Sequence, residues 1–508
     1  MAPRAGIECS RRFFRRGGRL LTLMDEDQSL TTLTIATAER IPSARWALAS
    51  LSLSMLLASL GTSIANVALP TLAHAFHASF QQVQWIVLAY LLATTSLIVS
   101  VGRLGDLTGR RRLLVAGTFL FTLASLLCGV APTLPMLIAA RAAQGLGAAI
   151  MMALTMAFVV DTVPKAKTGR AMGLLGTTSA IGTALGPSLG GVLIARLGWP
   201  SIFYISVPIG IVTLLLAYRH LPADRPRTTG RTGFDHIGTL LLALTLAAYA
   251  LAVTTGRGSF GAINVLLLCA AIAGLALFAL VETKAASPLI RLAMFRNRTL
   301  SAGFAMSTLV TTVVMATLVV GPFYLAGALA LDAARVGLVM SCGPIVAALT
   351  GVPAGRSVDR FGAFRTTMAG LIAMAAGAAS LAMIPMTFGV AGYIIPLVTI
   401  TAGYALFQAA NNTAVMADVE AEQRGVVSGM LNLSRNLGLI TGASVMGAVF
   451  ALGSRTNDIM TARPEAVVAG MRMTFTVAAG LIVVALAIGS MIPIPAGSLR
   501  RRHMGGSG

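Results

Sequence analysis

The chain has 508 residues, of which 56% are hydrophobic, 11% charged and 6% aromatic, and its formal net charge is +21. A soluble domain carries roughly 45–50% apolar and about 25% charged residues, so this balance excludes an ordinary soluble enzyme and points to a polytopic helical membrane protein. A basic surplus serves either nucleic acid or an anionic membrane surface, and the placement of the charges decides which.

Residues 1–45 contain the basic run Arg11, Arg12, Arg15, Arg16 and Arg19 with no apolar core behind it, which argues against a cleaved signal peptide. They are predicted to form an unstructured cytoplasmic extension, with Met24 as an alternative start. Beyond it, a bilayer crossing needs about 20 mostly apolar residues. Stretches free of Asp, Glu, Lys and Arg, with lone Arg141 and Arg435 interrupting or bordering helices without ending them, predict fourteen spans, the first eight being 46–69, 83–102, 113–131, 135–160, 171–195, 202–219, 236–255 and 262–281. Six more follow at 299–326, 334–353, 366–385, 390–416, 426–452 and 470–492. Two overlong apolar runs are divided, one near Pro70 to Gln84 and one near Pro385 to Gly392.

With the N-terminus inside, 30 of the 38 basic residues fall in cytoplasmic segments and 6 on the opposite side. The positive-inside rule then places both termini in the cytoplasm. Charge spread among short loops in this way marks orientation and leaves no nucleic-acid site. Cys9, Cys128, Cys269 and Cys342 have no metal-ligand spacing, so no metal or cofactor is expected, and the last three are expected as buried small hydrophobes.

The loop after span 2 reads GRLGDLTGRRR, and the loop after span 10 reads GRSVDRFGAFR. Gly102, Arg103, Asp106 and Gly109 thus match Gly355, Arg356, Asp359 and Gly362 at an offset of 253. In spans 5 and 13, Gly173, Gly182 and Gly186 match Gly429, Gly438 and Gly442 at an offset of 256. The expected fold is all-α, two parallel six-helix repeats at 46–219 and 299–493 with a linker at 220–298 that adds two spans; 494–508 form a cytoplasmic tail. Such repeats place a binding site at their interface and allow one half to rock on the other.

These residues resemble the major facilitator superfamily, and within it the fourteen-span drug:proton antiporters. The resemblance rests on Gly102-x-Leu104-x-Asp106-x-x-Gly109-Arg110-Arg111, Arg141-x-x-Gln144-Gly145-x-Gly147, Gly182-x-x-x-Gly186-Pro187-x-x-Gly190-Gly191 and Ile64-Ala65-Asn66-Val67-Ala68-Leu69-Pro70. It implies transport by alternating access in a multi-pass inner-membrane protein, a small-molecule substrate, proton antiport and a monomer. It departs at Gly61, where the antiporters typically have an Asp; no acidic residue lies near the middle of any span.

Read physically, Gly102 and Gly109 permit a tight reversal. Asp106, with Arg103 and Arg110, is a candidate gate, repeated at Gly355, Asp359 and Gly362. Gly182, Gly186 and Gly190 stand on one face for close helix approach, with Gly191 beside them. Pro187 favours a bend that span 13, with Ala443 there, lacks. Arg141 with Gln144 is an intramembrane charge, a candidate for coupling or for a structural tie. Polar stripes with Thr62 and Asn66, with Tyr404, Gln408, Asn411 and Asn412, and with Asn432 and Arg435 are candidate solute contacts or interhelical hydrogen bonds. His74 and His77 are the titratable groups on the outer side. Two transport readings stay open: efflux of neutral or anionic amphipathic compounds by proton antiport, and uptake or facilitated movement of a nutrient such as riboflavin. No residues cluster as a catalytic centre.

Overall fold

The computed structural model describes residues 41–162, 168–222, 224, 236–255, 261–284, 295–417, 419, 424–455 and 462–491. The terminal arm up to residue 40 and the C-terminal tail lie outside the described residues, as do the side chains of a few helical positions, Arg103 and Asp106 among them. Every described element is helical, and thirteen described stretches are long and apolar enough to cross a membrane.

The helices are α1 (Ile41–Ala75), α2 (Phe80–Thr108), α3 (Arg110–Gly129), α4 (Leu134–Thr162), α5 (Thr168–Leu197), α6 (Ser206–His220, after a turn at Ser201–Tyr204), α7 (His236–Thr254) and α8 (Ala262–Lys284). Next come α9 (Arg298–Phe323, ending in a π turn at Tyr324–Ala328), α10 (Ala333–Phe361), α11 (Ala363–Met383) and α12 (Gly389–Met416). The last are α13 (Arg424–Thr441, continued by a π turn at Gly442–Met446 and the helix Gly447–Ser454) and α14 (Pro464–Ser490). With fourteen traverses, α1 begins and α14 finishes at the same end of the bundle, here the terminal end; the other is the distal end.

The first span was expected to end at residue 69, but α1 runs through Pro70 to Ala75. Proline there costs one backbone donor near the helix end, and the fully buried Leu69 and Leu72 hold the last turns in place. The break falls instead at Ser79, where a capping box starts α2: Ser79 Oγ accepts from the Gln82 amide and Gln82 Oε1 from the Ser79 amide. A second correction concerns the cysteines. Cys128 is buried, Cys342 half-buried and Cys269 exposed, because α8 packs on α7 and turns Ile263, Leu266 and Ile272 outward, where lipid would cover them.

Helix pairing repeats along the chain. α1 packs on α5 and α6, α2 on α4, and α3 on α4 and α6; eight helices later α9 packs on α13 and α14, α10 on α12, and α11 on α12 and α14. α7 touches both halves: Thr239 shares a hydrogen bond of 2.6 Å with Ser100 of α2, and Tyr249 Oη donates to Thr441 of α13 at 3.1 Å.

Contacts between the halves lie toward the distal end. α5 and α10 meet where a Cβ on Gly337 would stand 2.4 Å from the Pro187 carbonyl and one on Gly191 would stand 2.8 Å from Gly337 Cα. α2 meets α13 through Gln84, whose Nε2 donates to the Ala443 carbonyl at 2.9 Å. Phe80 packs edge-on against Phe323 and tilts against Phe450. Toward the terminal end, two glycines on the same helix stripes have no close neighbour among the described residues. Gly351, fourteen residues along α10 from Gly337, and Gly429, fourteen before Ala443, have open space where a Cβ would point. The halves are closed distally, and toward the terminal end these two glycines face open space.

Candidate functional site

The predicted polar residues fall into two groups at different depths. The first is a closed hub in the N-terminal half. Arg141, eight residues into α4, is fully buried. Its Nε donates to the Ile86 carbonyl at 3.0 Å, one Nη to Gln144 Oε1, and the other Nη to the Gly61 carbonyl at 3.1 Å. The guanidinium stands 4.3 Å from the centre of the Tyr90 ring, and Tyr90 Oη donates to the Ala58 carbonyl at 2.8 Å. Gln144 Nε2 in turn donates to Ser125 Oγ at 2.7 Å. An intramembrane charge is tolerable only when its donors are used, and here a planar fork reaches acceptors on α1, α2 and α4 at once. Tyr90, Ser125 and the Ile86 carbonyl escaped the sequence reading, because a ring face, a hydroxyl and a main-chain oxygen leave no motif.

Gly61 sits against this hub. A Cβ there would stand 3.3 Å from Tyr90 Oη and 3.2 Å from Phe121, while its carbonyl takes the Arg141 bond. The position that resembles an acidic site in the antiporters therefore faces the aromatic floor of the Arg141 network. On the same helix Thr62 Oγ1 donates to its own turn at Ala58. Asn66 Nδ2 donates to Thr62 and Ser63 carbonyls, leaving its buried Oδ1 without a partner.

The second group lies in the C-terminal half and is open. Asn411 is spent, donating to the Gly303 carbonyl at 3.2 Å. Tyr404, Gln408, Arg435 and Asn436 are half-buried and Asn412 and Asn432 exposed. Among the described residues the Arg435 side chain makes no hydrogen bond or ion pair, and its Nε is buried without a partner. Tyr404, Gln408, Asn432, Arg435 and Asn436 stand eight to twelve residues from the terminal ends of α12 and α13; Arg141 stands 21 residues from the end of α4. At 1.5 Å per residue the two groups differ in depth by roughly 15 Å. The structure does not bring them into one site.

Of the candidate gate residues, Gly109 and Gly362 make the reversals, with φ of 96° and 84°. Gly102 and Gly355 do not: both are inside helices, since one positive-φ residue suffices to turn each loop. Asp359 is exposed, and Arg110 has a partner. The side chains of Arg103 and Asp106 lie outside the described residues. Among the described side chains an acid at this loop is Asp224, unforeseen from the sequence. Its carboxylate accepts from the backbone amides of Arg111 and Arg112 at 2.7 and 3.2 Å, at the positive end of α3. Arg111 also donates to the Tyr218 carbonyl and lies over the Tyr218 ring.

The glycine face of α5 packs on α1. Cβ atoms on Gly182 and Gly186 would meet the Leu56 carbonyl at 2.5 Å and Ser63 Oγ at 2.0 Å, and one on Gly190 would meet Val67 at 2.8 Å. Helix α5 continues through Pro187. Its counterpart, expected to lack an irregularity because it lacks the proline, has one: the π turn begins at Gly442, the residue aligned with Gly186. A π turn breaks the regular ladder without proline, and here its Ala443 carbonyl is the acceptor for Gln84. His74 lines a cavity of about 470 Å3 at the distal seam, with Val67, Pro70, Phe323 and Val336. His77 lies in a separate distal pocket beside Trp85.

Two six-helix halves that meet at one end, with the repeated loop motif, also match known proteins: residues 51–443 fit the Major Facilitator Superfamily. The chain belongs to this superfamily. It is a multi-pass membrane transporter and not an enzyme. It is 30% identical over 434 residues to the riboflavin transporter RibZ of Clostridioides difficile, covering 85% of this chain and 94% of that one. It is 32% identical over 410 residues to the multidrug resistance protein Stp of Mycobacterium tuberculosis, covering 78% and 74%. Among solved structures, a D-xylose-proton symporter superposes with a TM-score of 0.65 at 15% identity, over 89% of this chain and 98% of that one, and shares the fold.

Proposed function

We propose that this transporter exports small aromatic or amphipathic solutes by alternating access, in the manner of multidrug efflux. The observation that carries the reading is a seam closed distally, with open space beside Gly351 and Gly429 toward the terminal end and, among the described residues, polar side chains without partners on α12 and α13 at mid-depth. The similarity to Stp supports it. In this reading both termini are cytoplasmic in a bacterial inner membrane, supported by the 30 of 38 basic residues on that side. The protein works as a monomer. The loop residues Gly102, Arg103, Asp106, Gly109 and Arg110, with Gly355, Asp359 and Gly362, take part in the terminal-side gate. Arg141 and Gln144 hold the N-terminal half together, and Tyr404, Gln408, Asn412, Asn432 and Arg435 meet solute.

The test is flux of an aromatic solute panel in proteoliposomes, with and without an imposed pH gradient. Export predicts movement of several members, and lower accumulation of the same solutes in cells that express the protein; no movement of any member overturns the reading. Movement indifferent to the gradient overturns proton antiport alone. Gly61→Asp places a carboxylate beside Tyr90 and the Arg141 network, and flux should then become more responsive to the gradient than in the wild type.

The second reading is uptake of an organic nutrient. It is favoured by Gly61 in place of the acid and by the similarity to a riboflavin transporter. Riboflavin accumulation in a riboflavin-requiring host that expresses the chain separates the two.

A further inference from the structure

Asn432, Asn436, Ala443 and Gly447 follow one another on α13 at spacings of four, seven and four, a single stripe. At its distal end this stripe touches the other half, since a Cβ on Gly447 would collide with Gln84 of α2. Seven residues before Asn436, Gly429 opens onto empty space. The stretch between, which carries Asn432 and Asn436 with Arg435 at its edge, therefore lies along the stripe that turns toward the other half. The face toward α9 is occupied separately: Thr308 Oγ1 donates to the Ser434 carbonyl and Thr312 Oγ1 to the Gly438 carbonyl.

Arg435 is eleven residues into α13, about 16 Å from the terminal end and close to mid-membrane. No partner engages it among the described residues, and no acidic residue in the sequence falls near the middle of a span. The other intramembrane cation, Arg141, has its donors taken by three oxygens. Among the described residues this stretch thus holds a positive charge without a partner, with the amides of Asn432 and Asn436 beside it on the same helix. A guanidinium so placed lowers the energy of an anion and raises that of a cation, most strongly where water is scarce.

We infer that the solute is an organic anion, an aromatic body bearing a carboxylate, and that Arg435 binds the carboxylate. This rests on the transport reading above and narrows its substrate class. The guanidinium offers paired N–H donors to the two carboxylate oxygens, and Asn432 and Asn436 supply further donors.

The experiment uses the purified full chain and three matched pairs of probes: benzoate, 2-naphthoate and indole-3-acetate, each with its primary carboxamide. Binding is read by calorimetry, and flux separately in proteoliposomes. The wild type should bind at least one acid tenfold or more tighter than its amide. Arg435→Gln should erase that preference, and Arg435→Lys should keep part of it. Asn432→Ala should weaken acid and amide together. Equal affinities in the wild type, no acid bound, or a preference retained in Arg435→Gln each overturn the inference. Acid-selective binding without flux of any probe overturns the transport reading and leaves the assignment of Arg435 standing.

Discussion

Gly447→Ala should open the distal seam. A Cβ at this position would lie 1.7 Å from Gln84 Nε2, so the amide must leave the Ala443 carbonyl, its partner at 2.9 Å. Gln84 is 1% exposed and its Oε1 already lacks a partner, so displacement strands a buried donor as well. A stranded polar group costs about 1–3 kcal/mol, and the cost falls only on the closed seam, because parting the halves frees the amide. That is roughly a 5- to 150-fold shift away from distal closure. Thr71→Cys, on the wall of the distal cavity, reports the shift when the four native cysteines are replaced and a membrane-impermeant maleimide is added from the distal face. Labelling should quicken severalfold in Gly447→Ala and return toward the parent rate in Gly447→Ala/Gln84→Ala, where the clash is gone and one interhelical hydrogen bond of about 0.6 kcal/mol is lost. An unchanged rate in Gly447→Ala would refute the reasoning.

Arg141→Lys should destabilise the detergent-solubilised protein by about 2–4 kcal/mol, since one ammonium cannot serve acceptors on three helices and the ring of Tyr90 together; thermal unfolding checks it, and an unshifted midpoint contradicts the hub. Gly182→Ala drives a methyl to 2.5 Å from the Leu56 carbonyl and should cost about 1–3 kcal/mol. Gly351→Ala, with nothing within 4 Å, should be neutral or stabilise by up to about 1 kcal/mol through helix propensity, and the two midpoints should move apart. Asp224→Ala removes the acceptor for two amides at the start of α3 and should cost about 1 kcal/mol; amide exchange at Arg111 and Arg112 should rise before exchange elsewhere in that helix.

The helices were legible because bilayer crossing is a one-dimensional demand. About 20 apolar residues between charges leave a signal in the chain itself, and the loop motif at residues 102 and 355 exposed the repeat. Helix ends were less legible, because Pro70 lost to the packing of Leu69 and Leu72. Arg141, Gln144 and the polar stripes were visible, but not their division, nor Tyr90, Ser125 and Asp224 as their neighbours and counterparts. Arg141 and Arg435 look alike in the sequence, each a lone cation in an apolar run.

By itself, the sequence determined the number of helices, their repeat, the one-sided placement of basic charge and the want of a mid-span carboxylate. Only the tertiary structure decided that Arg141 is spent on two main-chain oxygens and Gln144 while Arg435 has no partner among the described residues, and that α13 carries a π turn without a proline. The physical reason is that hydrophobic run length is a property of neighbouring residues, whereas hydrogen-bond satisfaction depends on partners brought together from distant helices. Gln84 and Ala443 lie 359 residues apart, and only folding makes them a pair.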